Sequence, residues 1–195
     1  METMVKLFYE LPNGKCFAHV SRSGTTTISH HVLKQFYPEV YKEYKTQIGL
    51  SKPAVPQGYL TEHWGEELPK GCLVMVRNPI ERLQSMIAKT QWSEEVIDFG
   101  LGISTGVTSA ERELSKQYTI LKHHHISPLH CIANDDCHYV KFPEIEKACE
   151  YLEVPYEESL HLNKQRGEVK PLKAEQEKFL EESMSMEIWN SLINK

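Results

Sequence analysis

A short apolar segment, Cys16-Phe17-Ala18-His19-Val20, runs straight into Ser21-Arg22-Ser23-Gly24-Thr25-Thr26, and a helical pattern follows at once. This junction constrains the fold more than any other feature of the chain. The apolar run predicts a buried strand. Ile28, Val32, Leu33 and Phe36 recur at helical spacing, which predicts a helix from Thr25 to about Tyr37, with Pro38 just past its end. Leu73-Val74-Met75-Val76, bounded by Gly71 and Pro79, predicts a second buried parallel strand. Asn78 then caps a helix with Pro79 at its first position and Glu81 at its third, and Leu83, Met86 and Ile87 give that helix an apolar face.

The remaining segments extend the alternation. His138–Phe142 predicts a third strand, and Pro143 opens a helix through about Glu153. Gln57–Thr61 predicts a short strand ending at Glu62-His63, while residues 38–56, with Pro53 and Pro56, read as a helical turn and a loop. Residues 92–107 suit a short helix ending near Gly100 or Gly102, and the capping box Thr108-Ser109-Ala110-Glu111 predicts a helix over about 109–122. Residues 155–170 read as a loop, and Pro171 to about Asn194 as one or two terminal helices. Strands alternating with helices predict an α/β fold, a three-layer α/β/α domain around a central parallel sheet. A chain of 195 residues suits one domain, 1–195.

Charge excludes some partners. The net charge is −5, and residues 144–182 hold 11 Glu against 6 Lys and Arg, so the acidity is C-terminal and the rest is neutral overall. A nucleic-acid surface would need a basic stripe, and none is present. No apolar run approaches the ~20 residues of a membrane span. The start, Met1-Glu2-Thr3-Met4-Val5-Lys6, lacks a basic stretch followed by an apolar one, so no secretion signal is expected. Five cysteines at 16, 72, 131, 137 and 149 are odd in number and scattered, which fits a reducing cytoplasm. Cys16 and Cys72 read as small core hydrophobes.

The first loop has the chemistry of an anion site. A helix start leaves unpaired N–H groups and a partial positive charge. Gly24 permits close backbone approach, Ser23, Thr25 and Thr26 add hydroxyl donors, and Arg22 adds a permanent charge. A triphosphate P-loop would read G-x-x-x-x-G-K-[ST]. Here His19 occupies the first Gly position and Thr25 the Lys position, so its Mg²⁺-binding logic is broken. Left to itself, such a loop is equally a Ser/Thr-rich turn that caps a helix.

The second strand leads into Val76-Arg77-Asn78-Pro79, with Ser85 about two turns into the helix. Arg supplies a forked charged donor pair and Ser a hydroxyl, at the sheet edge where α/β ligands bind. Together the two loops resemble the sulfotransferase superfamily, whose sulfuryl donor is 3′-phosphoadenylyl sulfate (PAPS). Ser21-Arg22-Ser23-Gly24-Thr25-Thr26 resembles the family's 5′-phosphosulfate loop, P-[KR]-[SA]-G-T-[TS]. Arg77-Asn78-Pro79 with Ser85 resembles its 3′-phosphate motif, R-[ND]-P followed by a Ser eight residues after the Arg. His138 to Ile145 sits where the family has a strand and an acidic turn, and Asn163-Lys164-Gln165-Arg166-Gly167 resembles its late basic loop. The tight match covers residues 16–28 and 73–86. Ser21 replaces the usual proline, and Arg22 stands where many members carry a catalytic Lys, as in the tyrosylprotein-sulfotransferase type and some bacterial relatives.

The resemblance implies a P-loop-like fold and transfer of a sulfuryl group from PAPS to a hydroxyl acceptor, leaving adenosine 3′,5′-bisphosphate (PAP). It assigns Arg22, Ser23, Gly24, Thr25, Thr26 and Thr27 to the 5′-phosphosulfate, Arg77 and Ser85 to the 3′-phosphate, and Arg166 and Gly167 to the nucleotide. No metal is required. Arg22 also stabilises charge during transfer. The acceptor's proton needs a base near a strand end before the second motif, and Thr61-Glu62-His63-Trp64 lies there; His63 is preferred because imidazole titrates near neutrality, with Glu62 the rival. The acceptor is a small-molecule or carbohydrate hydroxyl, and the short chain suits an open site completed by a second subunit in a homodimer. Alternatives are a non-catalytic nucleotide- or partner-binding protein on the same fold, or a degenerate P-loop kinase or NTPase.

Other conspicuous residues point less far. Ten His include His123-His124-His125, then His130-Cys131 and Cys137-His138, which match no common zinc spacing. His30 and His31 suit either an acceptor pocket or a helix surface. Trp64, Trp92 and Trp189 suit packing, with Trp92 also placed to line an acceptor site, and the glycines of residues 90–108 suit a mobile lid.

Overall fold

The computed structural model describes residues 6–20, 22–47, 59–65, 67–90, 97–98, 136–160 and 171–193. Its strands are β1 (Lys6–Glu10), β2 (Cys16–Ala18), β3 (Glu62–Gly65), β4 (Leu73–Val76) and β5 (His138–Lys141). Its helices are α1 (Thr25–Phe36), α2 (Pro38–Gln47), α3 (Pro79–Thr90), α4 (Ile145–Leu152), α5 (Ala174–Glu181) and α6 (Met184–Ile193). The fold is α/β. The chain divides into two compact units, residues 1–76 with 133–164 and residues 77–132 with 165–195.

The first unit is built on one five-stranded sheet in the order β3-β1-β2-β4-β5. β2, β4 and β5 are parallel neighbours. β1 is antiparallel to both β2 and β3, so the sheet is mixed where the sequence reading expected a parallel one. The cause is a hairpin. Asn13-Gly14 turns the chain, Gly14 adopts φ 79°, and the Leu11 and Gly14 amides donate to Lys15 O at 2.8 Å and Leu11 O at 2.9 Å. The overlooked signal was Leu7, Tyr9 and Leu11 alternating ahead of an Asn-Gly pair, a strong short-range hairpin pattern.

Helices α1 and α4 pack on one sheet face. Leu7, Tyr9, Phe17, Leu73, Met75 and Val140 meet Ile28, Val32 and Leu33 of α1 and Ile145, Ala148 and Leu152 of α4 in one buried cluster. Each large apolar side chain so buried contributes roughly 1.5–3 kcal/mol. α2 was expected to be a turn and a loop, because its sequence is charged. It is a ten-residue helix, and its buried Tyr41 and Tyr44, one turn apart, join the same cluster. β3 begins at Glu62 rather than ending there, so Glu62 and His63 open an edge strand.

In the second unit α3 starts as its sequence requires. The Asn78 carboxamide oxygen accepts from the Ile80 amide at 2.9 Å and from the Glu81 amide at 3.3 Å, the side-chain cap expected of Asn before Pro. Leu83, Met86 and Ile87 bury against Ile97, Leu172 and Leu180. The terminal stretch is two helices, because Ser183 closes α5 through its hydroxyl to Leu180 O at 2.6 Å and its Oγ accepts from the Met186 amide at 3.3 Å. The helix expected over 109–122, and most of 92–107, lie outside the described residues. Among the described residues no helix is long and apolar enough to cross a membrane.

Candidate anion site

β2 delivers the chain to Arg22-Ser23-Gly24, and α1 begins at Thr25. Two backbone features shape this turn. Arg22 holds φ 65°, a left-handed conformation uncommon outside glycine. Gly24 holds φ 92° and ψ 2° as the residue before the helix. A Cβ on Gly24 would lie 2.9 Å from Ile145 Cδ1 and 3.0 Å from Phe142 Cδ2, so glycine is required by both conformation and space. Having no side chain, Gly24 caps nothing, and the first helix bond is the Ile28 amide to Gly24 O at 3.1 Å. The amides of Thr25, Thr26 and Thr27 therefore precede the first intrahelical partner and carry the positive end of a 12-residue helix.

The hydroxyls divide into two groups. Thr25 Oγ1 donates to Val20 O at 2.8 Å and ties the loop to its strand. Ser23 Oγ and Thr27 Oγ1 are buried, yet have no hydrogen-bond partner among the described residues. Such an atom costs about 1–3 kcal/mol when left unsatisfied. Ser23 and Thr27 are four residues apart, at the mouth of α1. Two orphaned hydroxyls at a helix start, with Arg22 directly before Ser23 in sequence, are the chemistry that an oxyanion takes up.

The candidate bases lie on the same sheet. His63 pairs in register with Phe8, and Phe8 with Ala18, so His63 shares a row with the last residue of β2, two strands or about 10 Å away. It stacks on Phe8 (centroids 5.4 Å apart), and its Nε2 lies 3.7 Å from Glu10 Oε2. Glu62 pairs with Tyr9 and, with burial, pushes the Tyr9 phenol well above its ordinary pKa, burial being the larger cause. A residue that sequence reasoning did not propose as a base is His19. It stands three positions before Arg22, and its Nδ1 is 3.2 Å from the Tyr9 hydroxyl. Only the β1–β2 pairing brings Tyr9 beside it.

In the second unit, Arg77 directly follows β4 in sequence. Its Nε lies 3.5 Å from Glu81 Oε2, and its side chain is 13% exposed. Ser85 is half-buried on α3. Ser21, Arg166, Gly167, Trp92 and the His123–Cys131 stretch lie outside the described residues. His30 and His31, which suited an acceptor pocket or a helix surface, are both 1% exposed. His31 Nδ1 donates to Thr27 O at 2.9 Å and its Nε2 accepts from the Glu157 amide at 3.1 Å. His30 Nε2 bonds the Tyr44 hydroxyl at 3.1 Å, and burial foremost holds the imidazole down to about 4. Among the described residues, no group of three or more His, Cys, Asp or Glu is placed to hold a metal ion. Comparison with family models, curated proteins and solved structures returned no match.

Proposed function

We propose that the chain is a sulfotransferase that binds PAPS through the Arg22–Thr27 loop and moves its sulfuryl group to a hydroxyl acceptor. The observation that carries this reading is the pair of buried hydroxyls, Ser23 Oγ and Thr27 Oγ1, that have no partner among the described residues and lie beside a helix start with no side-chain cap. A phosphosulfate supplies the acceptors these groups lack. The P-loop-like topology implied by the two motifs belongs to the same proposal.

The acceptor oxygen attacks sulfur in line with the departing phosphate oxygen. One S–O bond forms, the bond to the bridging oxygen breaks, and PAP leaves. Arg22 and the first-turn amides stabilise the charge that gathers on the leaving phosphate. Arg22 remains charged and moves no proton. The acceptor's proton goes to His63 or Glu62, and His19, three residues before Arg22 and 3.2 Å from the Tyr9 hydroxyl, joins them as a candidate. Arg77 and Ser85 take the 3′-phosphate.

Calorimetric titration with PAP tests the donor, with ATP·Mg²⁺ as control. Micromolar or tighter PAP binding and weak ATP binding are expected. Arg77→Ala should weaken PAP binding roughly 10- to 100-fold, because a phosphate loses its charged hydrogen-bond partner. Tight ATP·Mg²⁺ binding would favour the NTPase reading instead. With an acceptor in hand, His19→Ala, Glu62→Ala and His63→Ala are compared by pH–rate profile, and only loss of the true base removes the limb that reports its titration. Turnover unchanged in all three variants would remove general-base catalysis by these residues.

A further inference from the structure

Three of the five cysteines, scattered at 16, 72 and 137 in sequence, stand side by side in the sheet. Phe17 pairs with Leu73, and Leu73 with His138. One step toward the amino ends, the same register aligns Cys16, Cys72 and Cys137 across β2, β4 and β5. The His138 amide donates to Cys72 O at 2.9 Å and the Gly71 amide to Asp136 O at 2.7 Å, which holds this register before the strands proper begin. Side-chain alternation directs the three thiols to the sheet face opposite Phe17 and Leu73. Adjacent strands lie about 4.8 Å apart, inside the Cα spacing of about 4.4–6.8 Å that a disulfide accepts.

The row is graded in access and chemistry. Cys72 is fully buried, Cys16 nearly so, and Cys137 is half-exposed. The Cys72 thiol donates to Leu73 O at 3.9 Å. Interaction between the two neighbouring thiols favours the thiolate at Cys16 and, with burial, disfavours it at Cys72. Cys137 lies within electrostatic reach of Cys72. Cys149, buried on α4, is outside the row.

We propose that Cys16, Cys72 and Cys137 form a thiol–disulfide exchange site that a low-molecular-weight disulfide enters at Cys137 and that ends as a Cys16–Cys72 disulfide. The Cys137 thiolate attacks the external disulfide, forms a mixed disulfide and releases one thiolate. The Cys72 thiol, losing its proton to the thiolate released first, attacks the Cys137 sulfur and releases the second. The Cys16 thiolate then attacks the Cys72 sulfur and returns Cys137 as a thiolate. Two electrons pass from Cys16 and Cys72 to the external disulfide, and their two protons end on its two released thiols. The proposal stands apart from sulfuryl transfer, and its test needs no activity.

The full-length chain, in a Cys131→Ser background confirmed folded by circular dichroism, is incubated with glutathione disulfide, quenched with iodoacetamide and digested with trypsin. Cleavage after Lys15, Arg22, Lys70 and Arg77 isolates Cys16 on residues 16–22 and Cys72 on residues 71–77. The expected product is a disulfide between these two peptides, with Cys137 recovered carbamidomethylated. Adding Cys137→Ser should slow its formation at least tenfold. Glutathione persisting on Cys137 without that cross-link, a Cys72–Cys137 product, no reaction, or an unchanged rate in Cys137→Ser would each overturn the proposal.

Discussion

Gly24→Ala is expected to cost the fold about 2–5 kcal/mol and to abolish measurable PAP binding. Two terms add. At φ 92° a Cβ meets its own backbone, which costs roughly 1–2 kcal/mol. The same Cβ would sit 2.9 Å from Ile145 Cδ1 and 3.0 Å from Phe142 Cδ2, and overpacking of a tight site costs about 1–3 kcal/mol. Relief of either strain moves the turn, and with it the Ser23 hydroxyl and the first amides of α1. Urea unfolding reads the first effect and calorimetry the second. Ile145→Val, which deletes the clashing methyl, separates the terms. Alone it should cost about 0.5–1.5 kcal/mol. In the Gly24→Ala background it should cost nothing or restore stability. Equal costs in both backgrounds would remove the clash from the account.

Acid should unfold this protein through His30. The buried imidazole titrates at about 4 in the folded chain, with burial the largest cause and Lys45 and His31 acting in the same direction. In the unfolded chain it titrates near about 6.5. Between these values the unfolded state binds a proton that the folded state refuses. Stability is therefore intact above about pH 6.5 and is lost as the pH falls toward 4, by roughly 3 kcal/mol in all. The Tyr44 hydroxyl bonds Nε2, the Tyr41 ring stands at 6.1 Å, and Nδ1 has no partner among the described residues. Urea midpoints at pH 7 and pH 4.5 for the wild type and His30→Gln check this. The wild type should lose about 2–3 kcal/mol more than the variant between the two conditions. His138, also lowered by burial, titrates in both proteins and cancels. Equal acid losses would clear His30.

The elements legible in the sequence were those whose signal is local. Asn78 capped α3 because one side chain reaches two amides a turn away, whatever the rest of the chain does. The runs at Cys16 and Leu73 became parallel neighbours because a strand apolar on both faces needs burial on both. Gly24 marked the turn into α1 because close backbone approach there leaves no room for a side chain. Where the pattern was diluted by charge, reading failed. Lys6 and Glu10 flank the alternating Leu7 and Tyr9 of β1, and α2 sets Val40, Tyr41 and Tyr44 among mostly polar residues.

What the sequence by itself determined is therefore the places of its strong strands, the capped start of α3 and the glycine turn into α1, since each is decided within a few residues. Tertiary structure alone decided the antiparallel insertion of β1, the neutral burial of His30 and the single row of Cys16, Cys72 and Cys137. Each of those depends on strand register or on packing between segments tens of residues apart. No local pattern carries that information, because its free energy appears only once the distant partner has arrived.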